Sequence, residues 1–230
     1  MGRNSDAKER LFEAAIDLIW KNSYGSVGVE EICRHAGVQK GSFYYFFSSK
    51  AQLVAAALDA NWQLRAVEMR EIFDAKVPPV ERIANYFARI YERQRDKKAA
   101  LGYVPGCVHG SIGLECSRQE AQIRETVADI ARQRCEWFAT ALIDGQRSGD
   151  ISPDLDAQAM GIALFCLLQG GLMQARIRND PLIIKQLIVP ALAMIGVSAA
   201  GSGPAPDRRR RGRTHGKTSR KNSQTFVPIR

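Results

Sequence analysis

Residues 29–50, VEEICRHAGVQKGSFYYFFSSK, constrain this chain more than any other stretch. Residues 29–36 suit a short helix, and Gly37 breaks it. A second short helix follows over 39–46, and Ser48-Ser49-Lys50 opens a third. Two short helices about a tight glycine-containing turn form the helix-turn-helix pattern. Ile32, Cys33, Ala36, Val38, Phe43 and Phe47 supply a small core. Gln39, Lys40, Ser42 and Tyr44 are left to point outward from the second helix. In such a unit the N-terminal part of the second helix enters the major groove. There glutamine reads adenine edges, and lysine reads guanine or phosphate.

The rest of the chain repeats one periodicity. Asp6 followed by Glu9 resembles a capping box, and Leu11, Ala14, Ala15, Leu18 and Ile19 then fall on one helical face. Arg3 and Asn4, just ahead, either touch phosphate or fray as chain ends do. A long helix is expected over 50–74, with Leu53, Ala56, Ala57, Ala60, Leu64, Val67 and Ile72 as its apolar stripe. Val77-Pro78-Pro79 stops it. An amphipathic helix over 80–95 turns Ile83, Phe87, Ile90 and Tyr91 inward. A short helix over 107–117 is weakened by Gly110 and Gly113. A long one over 119–147 has Ile123, Val127, Ile130, Trp137, Phe138, Ala141 and Leu142 as its inner face. The helix over 156–177 is apolar nearly all round, and a last helix over 181–197 is expected to kink at Pro190. No stretch alternates with period two over strand length. The expected fold is all-α, with nine or ten helices.

The motif resembles the N-terminal domain of the TetR family of transcriptional regulators, whose signature runs roughly I-A-x-x-A-G-V-x-x-G-x-x-Y-x-x-F-x-x-K-x-x-L. Here it reads Ile32-Cys33, Ala36-Gly37-Val38, Gly41, Tyr44, Phe47, Lys50 and Leu53. Cys33 replaces the usual alanine. Gly28 stands where threonine or serine usually caps the first motif helix, a weaker cap. The resemblance implies a reading head over 1–50, a helical effector-binding and dimerisation domain over 51–198, and double-stranded operator DNA as partner. It places Val29, Gln39, Lys40, Gly41, Ser42, Tyr44, Tyr45 and Lys50 at the DNA. Gly41 either permits close backbone approach or meets a packing need. Lys50 sits in the first turn of the long helix, where the dipole also favours phosphate.

Charge sharpens this reading. From residue 201 onward there are nine Lys or Arg and one Asp, while the first 200 residues carry 24 Lys or Arg against 23 acids. The net charge of +9 is therefore a property of the tail. Residues 1–50 hold seven basic and six acidic residues, too little for tight binding by one copy. A homodimer on a palindromic operator is expected, with half-sites about 34–36 Å apart or a multiple of that. The excess apolar surface of 156–177 suits a dimer interface or a two-sided core helix, and Gly161, Gly170 and Gly171 would permit close helix approach. The family's last two helices form a four-helix bundle with the partner's.

The tail, 199–230, is expected to be disordered, since it has too few apolar residues to offset ordering entropy. Its RRRRGR run either binds phosphate nonspecifically or is a solvated charge run. Five cysteines, none in C-x-x-C spacing, suggest a reducing compartment. The longest apolar run, 160–168, falls short of the about 20 residues a bilayer requires. A cytoplasmic protein without membrane association is expected.

A regulator of this class requires a small-molecule effector pocket. The candidates are Phe87, Tyr91, Tyr103, Cys107, His109, Trp137, Phe138 and Met173, aromatic or soft side chains that either suit a mostly apolar ligand or, more readily for any one of them, simply pack the core. GCVHGSIGLE resembles a segment of a family subset in which the cysteine senses electrophiles or oxidants. Cys107 is thus a candidate sensor near a helix start, or a packing cysteine. There is no G-x-S-x-G, P-loop or Rossmann glycine pattern. The pairs Cys33/His35 and Cys107/His109 lack the partners of a zinc site. No cofactor or metal is expected. The reading is a ligand-responsive regulator, more readily a repressor than an activator. The competing class is an all-α enzyme or small-molecule carrier that keeps the motif only as structure.

Overall fold

The computed structural model describes residues 3–197, with side chains from residue 6. The expected basic tail and the side chains of Arg3 and Asn4 lie outside the described residues. Ten helices and no strand occur among the described residues: α1 (Arg3–Lys21), α2 (Val29–Ala36), α3 (Lys40–Phe46), α4 (Lys50–Ile72), α5 (Pro79–Leu101), α6 (Val108–Cys116), α7 (Ala121–Ser148), α8 (Ala157–Ile177), α9 (Leu182–Gln186) and α10 (Ile188–Met194).

Three boundaries depart from the sequence reading. Helix α1 begins at Arg3, so Asp6 lies inside its first turn and faces Arg10 at 3.9 Å instead of capping. Helix α5 runs to Leu101, not 95, because RDKKAA is mostly good helix formers. Gly102, left-handed at φ 81°, then closes it. The last helix is two helices, divided at Leu187. Proline lacks an N–H and crowds the carbonyl four residues back. For Pro190 that residue is Gln186, where α9 ends.

Two apolar cores result. One is built from α5, α7, α8, α9, α10 and the C-terminal half of α4, around Trp62, Phe87, Phe138 and Leu164. The other lies under the motif, where Leu11, Ile32, Phe43, Phe47 and Leu53 pack together. This second core also takes in Val108, Ile112 and Cys116 of α6 and Ile123 of α7. Helix α6 is therefore part of the head in space although it starts 58 residues beyond Lys50. Gly113 makes the seam possible, since a Cβ there would fall 2.7 Å from the Val127 side chain. Helix α4 runs unbroken from one core into the other.

The stripe expected on α4 is half wrong. Leu53 and Ala57 are buried, but Leu64 and Val67 are exposed, and the inner face continues through Leu58, Trp62, Ala66 and Met69. Apolar residues surround this helix nearly all round, so periodicity alone offers two faces, and the indole of Trp62 takes the inner one. On α8, Leu164, Leu168, Leu172 and Ala175 are buried. The other side is an exposed, mainly apolar series containing Ile162, Cys166, Met173 and Ile177. By length and composition alone α8 is long and apolar enough to cross a membrane, although its uninterrupted apolar run is short. A core helix meets the same test, and the buried face of α8 belongs to the second kind. Of its glycines, Gly161 approaches the Cys135 carbonyl of α7 and Gly171 approaches Leu187, both within the chain, while Gly170 faces open space.

Candidate nucleic-acid interface and effector cavity

Most of the motif's candidate residues reach solvent. Gln39, Lys40, Gly41, Tyr44 and Tyr45 are exposed, and Val29 and Ser42 are half-buried. Tyr44 and Tyr45 are 55% and 75% exposed, unusual for rings of their area. Each is braced edge-on by a phenylalanine at 5.0 Å, Phe43 and Phe46 respectively. Gly37, left-handed at φ 61°, makes the turn. A Cβ at Gly41 would meet nothing within 4 Å, so packing gives no reason for that glycine. Lys40 donates to Glu30 of α2 at 2.6 Å, which holds the carboxyl below and the ammonium above their ordinary ranges. Arg34, exposed in the last turn of α2, adds a charge that the sequence reading passed over.

Lys50 departs from its expected role. Its ammonium turns inward, donating to the carbonyls of Tyr24 (2.8 Å) and Val27 (2.9 Å) and lying 4.0 Å from the Tyr24 ring centre. Two of its three N–H groups are used in clamping the start of α4 to the turn before α2. Lys50 is a structural clamp with one donor left over, because two carbonyls at hand outcompete solvent for a half-buried ammonium.

The same turn is tied to α6 and α7. The Tyr24 hydroxyl donates to Glu120 at 2.6 Å, and the Gly25 amide donates to Glu115 at 3.2 Å. Burial and the bond to Glu120 raise the Tyr24 pKa well above the ordinary phenol range.

At the other end of α6 lies a cavity in two chambers. They share a wall of Gly106, Cys107, His109, Arg134, Gln169 and Leu172. The larger, about 500 Å³, is otherwise mostly apolar and bounded by Leu114, Val127, Ile130, Phe165, Met173 and Ile177. The smaller, about 70 Å³, is faced by Trp20, Trp62, Arg65, Tyr86, Arg93 and Lys97.

Of the expected pocket residues, Cys107, His109 and Met173 line the larger chamber. The others do not line either chamber. Phe87 and Phe138 are wholly buried in the core, and Phe138 packs on Phe73 and Tyr86. Trp137 packs on Phe73, Tyr91 lies under Arg95 and Lys185, and Tyr103 is exposed. Large rings bury the most area by filling cores, which leaves aliphatic and cationic side chains for the cavity walls. The residue missed is Arg134. It interrupts the buried face of α7 between Ile130 and Phe138, and a lone cation on an apolar stripe was the available signal.

Cys107 caps α6, its sulfur accepting from the Gly110 amide at 3.4 Å. Gln94 holds the preceding residue through a two-way amide contact with Gly106, both bonds 3.0 Å. Arg134 and Gln169 donate toward the sulfur at 3.8 and 3.6 Å. Burial pushes the thiol pKa up, but His109, the Arg134 guanidinium and the Gly110 amide outweigh it and bring it down to about 6. His109 bridges two helices, with Nε2 3.1 Å from the Leu58 carbonyl of α4 and Nδ1 3.2 Å from Arg134. A carbonyl only accepts, so Nε2 carries a proton. A thiolate next to a fixed cation on a cavity wall is a reactive nucleophile.

Comparison with known proteins follows this geometry. Residues 11–57 match the family described as bacterial regulatory proteins, tetR family. Residues 79–188 match the tetracyclin repressor-like C-terminal domain. The HTH-type transcriptional repressor DhaR of Mycobacterium sp. (strain GP1) is 29% identical over 174 residues, covering 75% of this chain and 84% of DhaR. Among solved structures, the reduced form of E. coli NemR superposes with a TM-score of 0.73 at 21% identity, covering 84% of this chain and 100% of NemR. A cysteine mutant of CifR complexed with 26-base-pair operator DNA superposes with a TM-score of 0.69 at 18% identity, covering 80% of this chain and 95% of CifR.

Proposed function

The chain belongs to the TetR family of bacterial regulatory proteins, and on that premise we propose that it is an effector-released repressor acting on DNA as a homodimer in the cytoplasm. It is a DNA-binding transcriptional regulator and not an enzyme. The proposed head is the exposed surface of Gln39, Lys40, Gly41, Ser42, Tyr44 and Tyr45, with Val29 at its edge and Lys50 as clamp. Lys40 exchanges its Glu30 partner for phosphate or guanine, and Glu30 otherwise keeps the head from clinging to DNA at random.

The single observation that carries the effector reading is that α6 begins at Cys107 in the cavity wall and ends in the core under the motif. An electrophile that alkylates the Cys107 thiolate removes the sulfur's negative charge beside Arg134 and hinders its capping of Gly110. Helix α6 then shifts, and Glu115 and Glu120 carry that shift to the Tyr24–Gly25 turn. A noncovalent ligand in the larger chamber presses on the same wall.

The dimer reading rests on the exposed series Ile162, Cys166, Met173 and Ile177 of α8, and on Val189 and Met194, which are exposed on α10. Exposed apolar patches of this kind mark association sites. A second copy seated there also covers Met173 and Ile177, exposed residues that line the larger chamber. A mobility shift with the DNA upstream of the chain's own gene tests the function. Binding that disappears with Lys40→Ala and Tyr44→Ala supports it, and no binding under any condition returns the carrier alternative. Sedimentation of an Ile162→Asp/Val189→Asp variant tests the dimer, which is expected to fall apart into folded monomers.

A further inference from the structure

Two buried side-chain donors among the described residues have no hydrogen-bond partner, the Trp20 indole N–H and Arg134 Nε. Both belong to the wall of the smaller chamber. Buried donors are almost always satisfied, so two orphans on residues of one wall point to a missing acceptor. The charges there are equally unbalanced. Arg65, Arg93, Lys97 and Arg134 face the chamber, and Glu68 is the one acid on its wall. Glu68 is already held by Arg89 and Arg93. Neither Arg65 nor Lys97 has a carboxylate within ion-pair distance among the described residues. Lys97 lies 4.9 Å from the Trp20 ring centre and Arg134 4.8 Å from that of Trp62. Burial together with neighbouring cations pushes the pKa values of Arg65 and Lys97 below their ordinary ranges. The remaining negative group is the Cys107 sulfur, on the shared wall.

We propose that the smaller chamber is a carboxylate site that takes the head of a small organic acid between Arg134, Arg65 and Lys97, with the Trp20 indole N–H as a further donor. The size fits such a group. A water requires about 10–15 Å³ in this measure, so 70 Å³ accommodates a few heavy atoms. The walls fit as well, since Met69, Ile90 and Leu168 offer aliphatic surface to a short carbon stem. A phosphate presents three or four oxygens all round and leaves that surface unmatched. The position gives the site a consequence. Trp20 is on α1, so an acid in this chamber touches the head directly, and its charge competes with the Cys107 thiolate for Arg134. Occupancy therefore raises the thiol pKa and slows alkylation. The proposal deepens the effector reading above by naming the ligand class.

The experiment uses the full chain without DNA, with butyrate as probe and butyramide and inorganic phosphate as comparisons. Carbamidomethylation of Cys107 by iodoacetamide is timed by peptide mass spectrometry at pH 5.5. A thiol of pKa about 6 shifted up by one unit reacts about eightfold more slowly at that pH. Butyrate is expected to give that slowing and butyramide none. An Arg65→Gln/Lys97→Gln variant, its fold checked by circular dichroism, is expected to lose the effect. Equal slowing by butyramide means simple obstruction and overturns the proposal, as does no slowing by butyrate. Slowing by phosphate alone assigns the site to an inorganic anion and overturns it too. Butyrate that slows alkylation yet leaves DNA binding unchanged keeps the site and refutes its role as an effector.

Discussion

The reading head and the cavity wall solve opposite problems. The head exposes what chains usually bury: Tyr44 and Tyr45 stand in solvent on a seven-residue helix. The wall buries what chains usually expose: Arg134 is 8% exposed, beside a partly buried cysteine of depressed pKa. Each is out of place for folding alone, and the proposed function gives the one a duplex and the other a ligand. The difference lies in construction. The head is made by one contiguous stretch, whereas the wall gathers side chains from α6, α7, α8 and the loop before α6. Helix α6 joins the two.

The most damaging change to the comparison is Phe43→Ala. Phe43 is fully buried in the small core, and such truncations cost about 3–5 kcal/mol. Because α6 shares that core, thermal unfolding is expected to remain one transition at lower temperature. Two separated transitions would break the claim of a shared core.

Next comes the pH dependence of the wall. The folded thiol pKa is depressed to about 6, so its contribution is complete above the ordinary thiol pKa near 9 and is lost as pH falls through 6. The stability difference between wild type and Cys107→Ser is therefore expected to grow between pH 6 and pH 9, by up to a few kcal/mol. Denaturant midpoints across that window check the sign, and a flat difference removes the special environment.

A smaller effect belongs to the head's surface. Lys40→Ala is expected to weaken operator binding by about 1–3 kcal/mol while leaving the melting temperature nearly unchanged. The smallest is Gly41→Ala. Its Cβ meets nothing, and alanine in a helix gains roughly 0.5–1 kcal/mol over glycine. The variant should be slightly more stable and bind DNA less well. Unimpaired binding would show that close backbone approach is not the reason for this glycine.

These contrasts explain what the sequence could reveal. The motif's helices and core are legible because Ile32, Ala36, Val38, Phe43 and Phe47 interact at short separations that spacing records. The inward turn of Lys50 is not, because the carbonyls of Tyr24 and Val27 come from a loop whose path depends on Glu115 and Glu120, about 90 residues away. Leu64 and Val67 fit a core stripe by spacing because α4 is apolar on several sides, and only the neighbouring helices decide which side is buried. Phe87, Trp137 and Phe138 suit either pocket or core by their aromatic character alone, and area sends these rings to the core. Arg134 was legible in principle, as the one charge among the buried positions of α7. Its meaning depends on Cys107, His109 and Trp62, which only the fold brings to it.

The continuity of α6 from cavity wall to head core is tested most directly by operator affinity before and after stoichiometric alkylation of Cys107. The probe is the upstream DNA of the chain's own gene, with Cys107→Ser carried through the same treatment. The account predicts at least about a tenfold loss of affinity for wild type, equivalent to 1.4 kcal/mol, and none for the variant. Alkylated wild-type protein that binds as tightly as before would contradict it.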